Sequence, residues 1–212
     1  MSSMLKLCRI SSAALLTYLT LGCGAADAGP EAGQTEQSLT TVQATLRDAT
    51  GASIGRVVFT ANSGNTTLIA VSARLPAGAG VNGIRGFHVH ANDNPANGNG
   101  CIADPAQPAN THFVSADGHF NPGGGTHGAH AGDMPALFFT QGSTAAMSFI
   151  HDRFVPDQIR GRAVILHQAP DNYGNIPVGA APNQYTPNSA EATTLTQNTG
   201  NAGNRIACGV IQ

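Results

Sequence analysis

The sequence predicts an all-β domain, a sandwich or barrel of eight strands with two long functional loops, on three observations. Short apolar or alternating runs recur with glycine-rich breaks between them, helical periodicity is almost absent, and two long connections carry no strand pattern. The runs begin with 41–48 (TVQATLRD), 54–60 (IGRVVFT) and 66–75 (TTLIAVSARL), which place apolar side chains on one face of each strand. They continue through 84–90, 135–140, 144–151, 162–167 and 205–211. Between them, 91–134 and 168–204 are too long for simple turns, and connections of that length in a compact domain usually carry function. About 170 residues suffice for a single domain with its own core.

The first forty residues have a different composition. Lys6 and Arg9 precede an apolar stretch, Ile10 to Leu21, too short to span a bilayer. It ends Thr20-Leu21-Gly22-Cys23, which resembles a bacterial lipoprotein signal with Cys23 as the lipidated residue. Ordinary signal-peptidase cleavage fits the same stretch. The chain thus divides into a signal peptide at 1–23, a polar flexible linker at 24–40 and a domain at 41–212. Export to the periplasm or cell envelope follows, with a membrane tether if Cys23 carries lipid. After Cys23 come eight arginines, no lysine and twelve acidic residues, a net charge of about −4 that disfavours nucleic acid as a partner.

Most of the chemistry lies in seven side chains. In GFHVH, His88 and His90 project from one strand face while Phe87 and Val89 project from the other. His167 closes the run RAVILH, with Val164 and Leu166 directed away from it. Downstream of His88 and His90, the loop run HFNPGGGTHGAHAGD packs His119, His127, His130 and Asp133 into fifteen residues. Singly, each of these histidines suits a surface or a satisfied core position. Together, nitrogen and carboxylate donors without thiolates suit copper and zinc, and the spacings imply two sites.

From about Thr41 to Gln212 the chain resembles the copper,zinc superoxide dismutases. The motifs that carry the likeness occur in order: GFHVH at 86–90, Cys101 in its GxC, GHFNP at 118–122, HAGD at 130–133 and GNAGNRIACGVI at 200–211. The resemblance implies a Greek-key β-sandwich and the dismutation of superoxide to dioxygen and hydrogen peroxide. It implies one copper ion per chain, held by His88, His90, His119 and His167. One zinc ion would be held by His119, His127, His130 and Asp133, with His119 as the bridging ring. It also implies that Arg205 neighbours the open copper position, where a guanidinium about 4 Å from an anion gains on the order of 4 kcal/mol before desolvation. Asp171 matches the aspartate that links a copper histidine to a zinc histidine, here His88 and His127, although alone an Asp before Asn172 also suits a turn. Cys101 and Cys208 are the two cysteines left after the leader; in an exported protein they are expected to pair, and free thiols are the alternative.

Some features depart from the family. Asn198 stands where relatives often carry a lysine, and in AEATTLTQNTGNAGNR the one acidic residue is Glu191, so less of the attraction for an anion is shared with that loop. Arg85 stands where many relatives have histidine, and the His127 to His130 interval looks bacterial. A copper or zinc store on the same scaffold is the competing function, but such a scaffold typically loses a copper ligand or the arginine. His112 and His151 match no ligand position and are expected to be solvated. Monomer and homodimer are both compatible with the sequence.

Overall fold

The computed structural model describes residues 39–80, 82–98, 100–174 and 190–212. The leader with Cys23, and the linker up to residue 38, lie outside the described residues. Among the described residues there are nine strands: β1 (Thr41–Arg47), β2 (Ser53–Asn62), β3 (Thr66–Arg74), β4 (Gly83–Arg85), β5 (Phe87–His90), β6 (Leu137–Phe139), β7 (Thr144–His151), β8 (Ala163–His167) and β9 (Arg205–Val210). One antiparallel sheet runs in the order β5-β8-β9-β1-β2-β3-β7, and β4 pairs separately with β6. The architecture is the all-β one expected.

Strand alternation builds the core. Val42, Ala44 and Leu46 of β1 are buried while their neighbours face solvent. The register sets Phe59 opposite Ile69 and Val57 opposite Val71, so these four side chains share the inner face. Phe154 closes the end of the sheet edge-on against Phe59, ring centroids 6.1 Å apart. Each such fully buried side chain contributes about 1.5–3 kcal/mol over its exposed state.

Two elements differ from the sequence reading. The single run at 84–90 divides at Gly86, whose N–H donates to Ala169 and whose carbonyl accepts from His167. These bonds replace a ladder partner and let the chain change sheets, with β4 going to β6 and β5 to β8. The second long connection contains a helix, α1 (Ala190–Thr199). Four threonines within it give little helix propensity and weak amphipathicity, which hid it. It stops at Gly200, whose φ of 61° is a left-handed conformation suited to glycine.

β5 and β8 are buried along their whole length. Phe87, Val89, Val164 and Leu166 face the main core. His88 and His90 pair with Ile165 and Ala163 on the other face. There a second apolar cluster of Phe113, Ala116, Ala163, Ile165 and Cys208 backs the long loops.

Candidate metal centre

The loop 118–133 is fastened along the outer edge of β5. Val89 donates its N–H to Gly132 at 2.9 Å and accepts from Phe120 at 2.8 Å, and Ala91 donates to Gly118 at 2.8 Å. This pairing sets His119 across from His90 and Asp133 across from His88. It also removes the exposed edge that β5 would otherwise present. Gly132 is required by the close approach, because a Cβ there would lie 2.2 Å from the Val89 carbonyl oxygen.

The histidines then converge with their nitrogens sorted. His88 Nε2 donates to Asp171 at 2.6 Å, His90 Nδ1 to the Asp117 carbonyl at 2.8 Å and His167 Nδ1 to the Gly203 carbonyl at 3.2 Å. His119 Nδ1 faces Asp133 at 2.8 Å. Left over are His88 Nδ1, His90 Nε2, His119 Nε2 and His167 Nε2, all buried and without a hydrogen bond. An orphaned buried polar atom is costly, and a native fold rarely keeps four together. These four residues offer ligand atoms within 4.8 Å of one another, so one ion could satisfy all of them. Four neutral imidazoles suit copper.

A second group lies on the far side of the His119 ring. Asp133 Oδ1 is 2.8 Å from His119 Nδ1, 3.1 Å from His127 Nδ1 and 3.3 Å from His130 Nδ1. His130 Nδ1 is 3.3 Å from His119 Nδ1. Tetrahedral ligands with bonds near 2.0 Å stand about 3.3 Å apart, so this spacing fits zinc. His127 Nδ1 makes no hydrogen bond despite its proximity to Asp133, as expected of a nitrogen aimed at an ion. His88 is also close to His119, His127 and Asp133. Its Nε2, however, is committed to Asp171, which leaves only the Nδ1 already counted. Asp133 is preset for this role: its Oδ2 accepts the backbone N–H of Gly128 at 2.7 Å and of His130 at 3.0 Å, leaving Oδ1 for the three rings.

Asp171 joins the two groups. Its Oδ2 accepts from His88 Nε2 and its Oδ1 from His127 Nε2 at 2.7 Å, the two partners the resemblance implied. Each bond fixes a tautomer and thereby frees the opposite ring nitrogen. Gly200 lets α1 end against this bridge, since a Cβ there would fall 2.0 Å from Asp171 Oδ1 and 2.4 Å from His127 Nε2.

A β-bulge brings in Arg205. Regular pairing of β8 with β9 runs from Ala163↔Val210 to Leu166↔Ala207 and then slips, so that His167 opposes Arg205 instead of Ile206. Ile206 packs against the main core, and Arg205 joins the histidine face. Its guanidinium donates to the carbonyls of Phe113 and Asp117. Nearby, Cys101 and Cys208 form the expected disulfide, tying the first loop to β9.

In the metal-free protein, burial is the dominant influence on these groups. It pushes His119 down to about 3 against the pull of Asp133. Burial, neighbouring histidines and the Arg205 charge depress His90 and His167. Burial also opposes charge on His127, but the carboxylates of Asp133 and Asp171 prevail and raise it to about 9. Both carboxylates are lowered despite their own burial, through hydrogen bonds from the histidines. Arg205 is pushed down by burial to about 10 and stays cationic near neutrality.

One expectation is overturned. His151 is buried, with its ring 4.3 Å from that of Phe154 and its Nε2 donating to the Ala131 carbonyl at 2.9 Å. It ends β7, and alternation puts it on the covered side of the strand. His112 is half-buried, its Nε2 facing the carbonyls of Asp104 and Gln107. The sequence reading also missed Asp117 and Phe113, which act through backbone carbonyls that no side-chain pattern reveals.

Comparison with known proteins agrees with this geometry. The family model described as copper/zinc superoxide dismutase (SODC) matches residues 53–211. A superoxide dismutase [Cu-Zn] of Mycolicibacterium paratuberculosis is 31% identical over 196 residues, covering 90% of this chain and 79% of that protein. The crystal structure of the clock protein EA4 superposes with a TM-score of 0.58 at 27% identity, covering 82% of this chain and 94% of that one. The chain belongs to the copper/zinc superoxide dismutase family, and its enzyme class is that of the family.

Proposed function

We propose that this chain dismutates superoxide at a copper held by His88 Nδ1, His90 Nε2, His119 Nε2 and His167 Nε2. A zinc would be held by His119, His127 and His130 with Asp133, so that His119 would serve both groups. The observation that carries this reading is the set of four orphaned nitrogens beside the Asp133 group. Bound there, copper would supply one-electron chemistry, by which two superoxides and two protons become one dioxygen and one hydrogen peroxide.

The side chains supply the rest. Arg205, held by two carbonyls and therefore preset in direction, attracts and orients the anion. His119 Nε2 would serve in turn as a copper ligand and, when not ligating, as the holder of a proton destined for the second superoxide, while its Nδ1 stays beside Asp133. Asp171 keeps the His88 and His127 rings in register throughout.

The envelope location belongs to the same proposal. It rests on Lys6, Arg9, the apolar stretch before Cys23 and the polar linker, with Cys23 as a lipid tether. Replacing Cys23 with Ala should move the protein from the detergent phase to the soluble fraction; a wild type already soluble would reject the tether. The dismutase reading is tested by following superoxide decay with the copper- and zinc-loaded chain. Decay should persist when a chelator that sequesters free copper is present, and His90→Ala should abolish that chelator-resistant decay. Loss of the wild-type decay on adding the chelator would overturn it.

A further inference from the structure

We propose that Arg153, assisted by His151, is a positioning residue that holds the loop 127–133 in its zinc-ready shape before any metal binds. The inference rests on the zinc assignment above. Five backbone groups of that loop are held from two sides. The N–H groups of Gly128 and His130 point inward and are taken by Asp133 Oδ2. The carbonyls of Gly128, His130 and Ala131 point outward, toward the end of β7. Arg153 Nη1 donates to Gly128 and His130, both at 3.0 Å, and His151 Nε2 donates to Ala131 at 2.9 Å.

Two inward N–H groups of this loop are therefore gripped by Asp133 and three outward carbonyls by Arg153 and His151, while Gly132 is held by β5 and the His127 N–H by the Gln197 carbonyl of α1. Asp133 cannot do this alone, because its carboxylate belongs to the loop it would have to hold. Arg153 is anchored outside that loop, on the chain leaving β7, whose strand is paired with β3 along its length. His151 is fixed by burial and by its tilted ring contact with Phe154. The two donors thus transmit the rigidity of the sheet to a glycine-rich loop that has little stiffness of its own. A guanidinium is well suited to such bracing, because its donors lie in a fixed plane, it is always charged, and its bonds to carbonyls are charge-assisted. Neither residue offers an atom to the ion.

The test measures zinc affinity of the full chain by competition with a chromophoric chelator, and the visible spectrum of cobalt placed in the zinc site. Arg153→Ala should weaken zinc by about 10–100-fold, the usual effect of losing a group that orients a ligand. Copper affinity should be unchanged. Arg153→Lys should recover part of the loss. His151→Phe keeps a ring against Phe154 and removes one donor, so zinc should weaken about fivefold, the worth of one hydrogen bond. The cobalt bands of Arg153→Ala should broaden while those of Arg153→Lys stay near wild type. His130→Ala, which removes a ligand, is the reference. If His130→Ala loses zinc and Arg153→Ala stays within twofold of wild type, the positioning role is wrong. Equal loss of zinc and copper with a lower melting temperature would also overturn it, as general destabilisation. If His130→Ala binds zinc like wild type, the zinc assignment itself fails.

Discussion

Arg205 and His90 share one acceptor, the backbone carbonyl of Asp117. Asp117 holds that carbonyl still by adopting a φ of 63° and using its carboxylate to accept the N–H groups of Asp93 and Asn94 and the amide of Asn97. The cation proposed to meet the substrate and a ring proposed to hold the copper are thereby placed from a single point.

Arg205→Ala should keep both metals and lose roughly tenfold or more of the superoxide reaction at low salt, with the residual rate less sensitive to ionic strength. Arg205→Lys should recover part. Asn198 is exposed on α1, so Asn198→Lys should raise the low-salt rate by adding a cation to the loop. Stopped-flow superoxide decay across a salt series measures all three. Full activity in Arg205→Ala at low ionic strength would remove the role assigned to it.

Asp171→Asn should loosen one of the two metal groups. The side-chain amide keeps one oxygen and turns its NH2, a donor, toward the other ring, so either His88 or His127 loses the partner that sets its tautomer. Metal affinity should fall about 10–100-fold by chelator competition. Unchanged affinity at both sites would make Asp171 a simple turn residue.

Legibility in the sequence followed the range of the forces involved. Alternation in β1 to β3 was readable because one face is buried and one is wet. The side chains of the metal groups were readable because their types and spacings are unusual together. Gly86 hid the break between β4 and β5, since a backbone detour leaves the apolar pattern intact. The helix α1 was hidden by its threonines. His151 was misjudged because its partner, the Ala131 carbonyl, is twenty residues away in sequence. Asp117 and Phe113 serve through carbonyls, which every residue carries.

The Cys101–Cys208 disulfide spans a sequence separation of 107, and a link of that length restricts the unfolded chain. Replacing both cysteines with serine should lower stability by about 2–4 kcal/mol. Adding reductant to wild type should shift the denaturation midpoint by a similar amount. No shift in either experiment would mean that the disulfide contributes nothing to stability.

Metal-free protein should lose stability as pH falls below about 6.5. His90, His119 and His167 have folded values depressed by burial, so their contribution is full above the unfolded value and drains away as the unfolded chain takes up protons. Each such histidine costs up to about 1.4 kcal/mol per pH unit in that window. His127 runs the other way: raised to about 9, it stabilises below the unfolded value and its contribution is lost toward pH 9. Burial also lowers His130 and His151, so five groups against one give a net decline from neutrality toward pH 5. Denaturation midpoints of the metal-free chain across this range check the sign; a midpoint rising toward pH 5 would contradict it.

The shared ring of His119 is the centre of the proposed chemistry, with Nδ1 facing Asp133 and Nε2 orphaned among the other histidines. Elemental analysis of reconstituted wild type, His119→Ala and His130→Ala, paired with superoxide decay on the same samples, tests that sharing most directly. One copper and one zinc per wild-type chain are predicted, with both metals disturbed in His119→Ala and mainly zinc released in His130→Ala. If His119→Ala retains either metal at wild-type affinity, or both variants lose the two metals equally, His119 does not join the two sites.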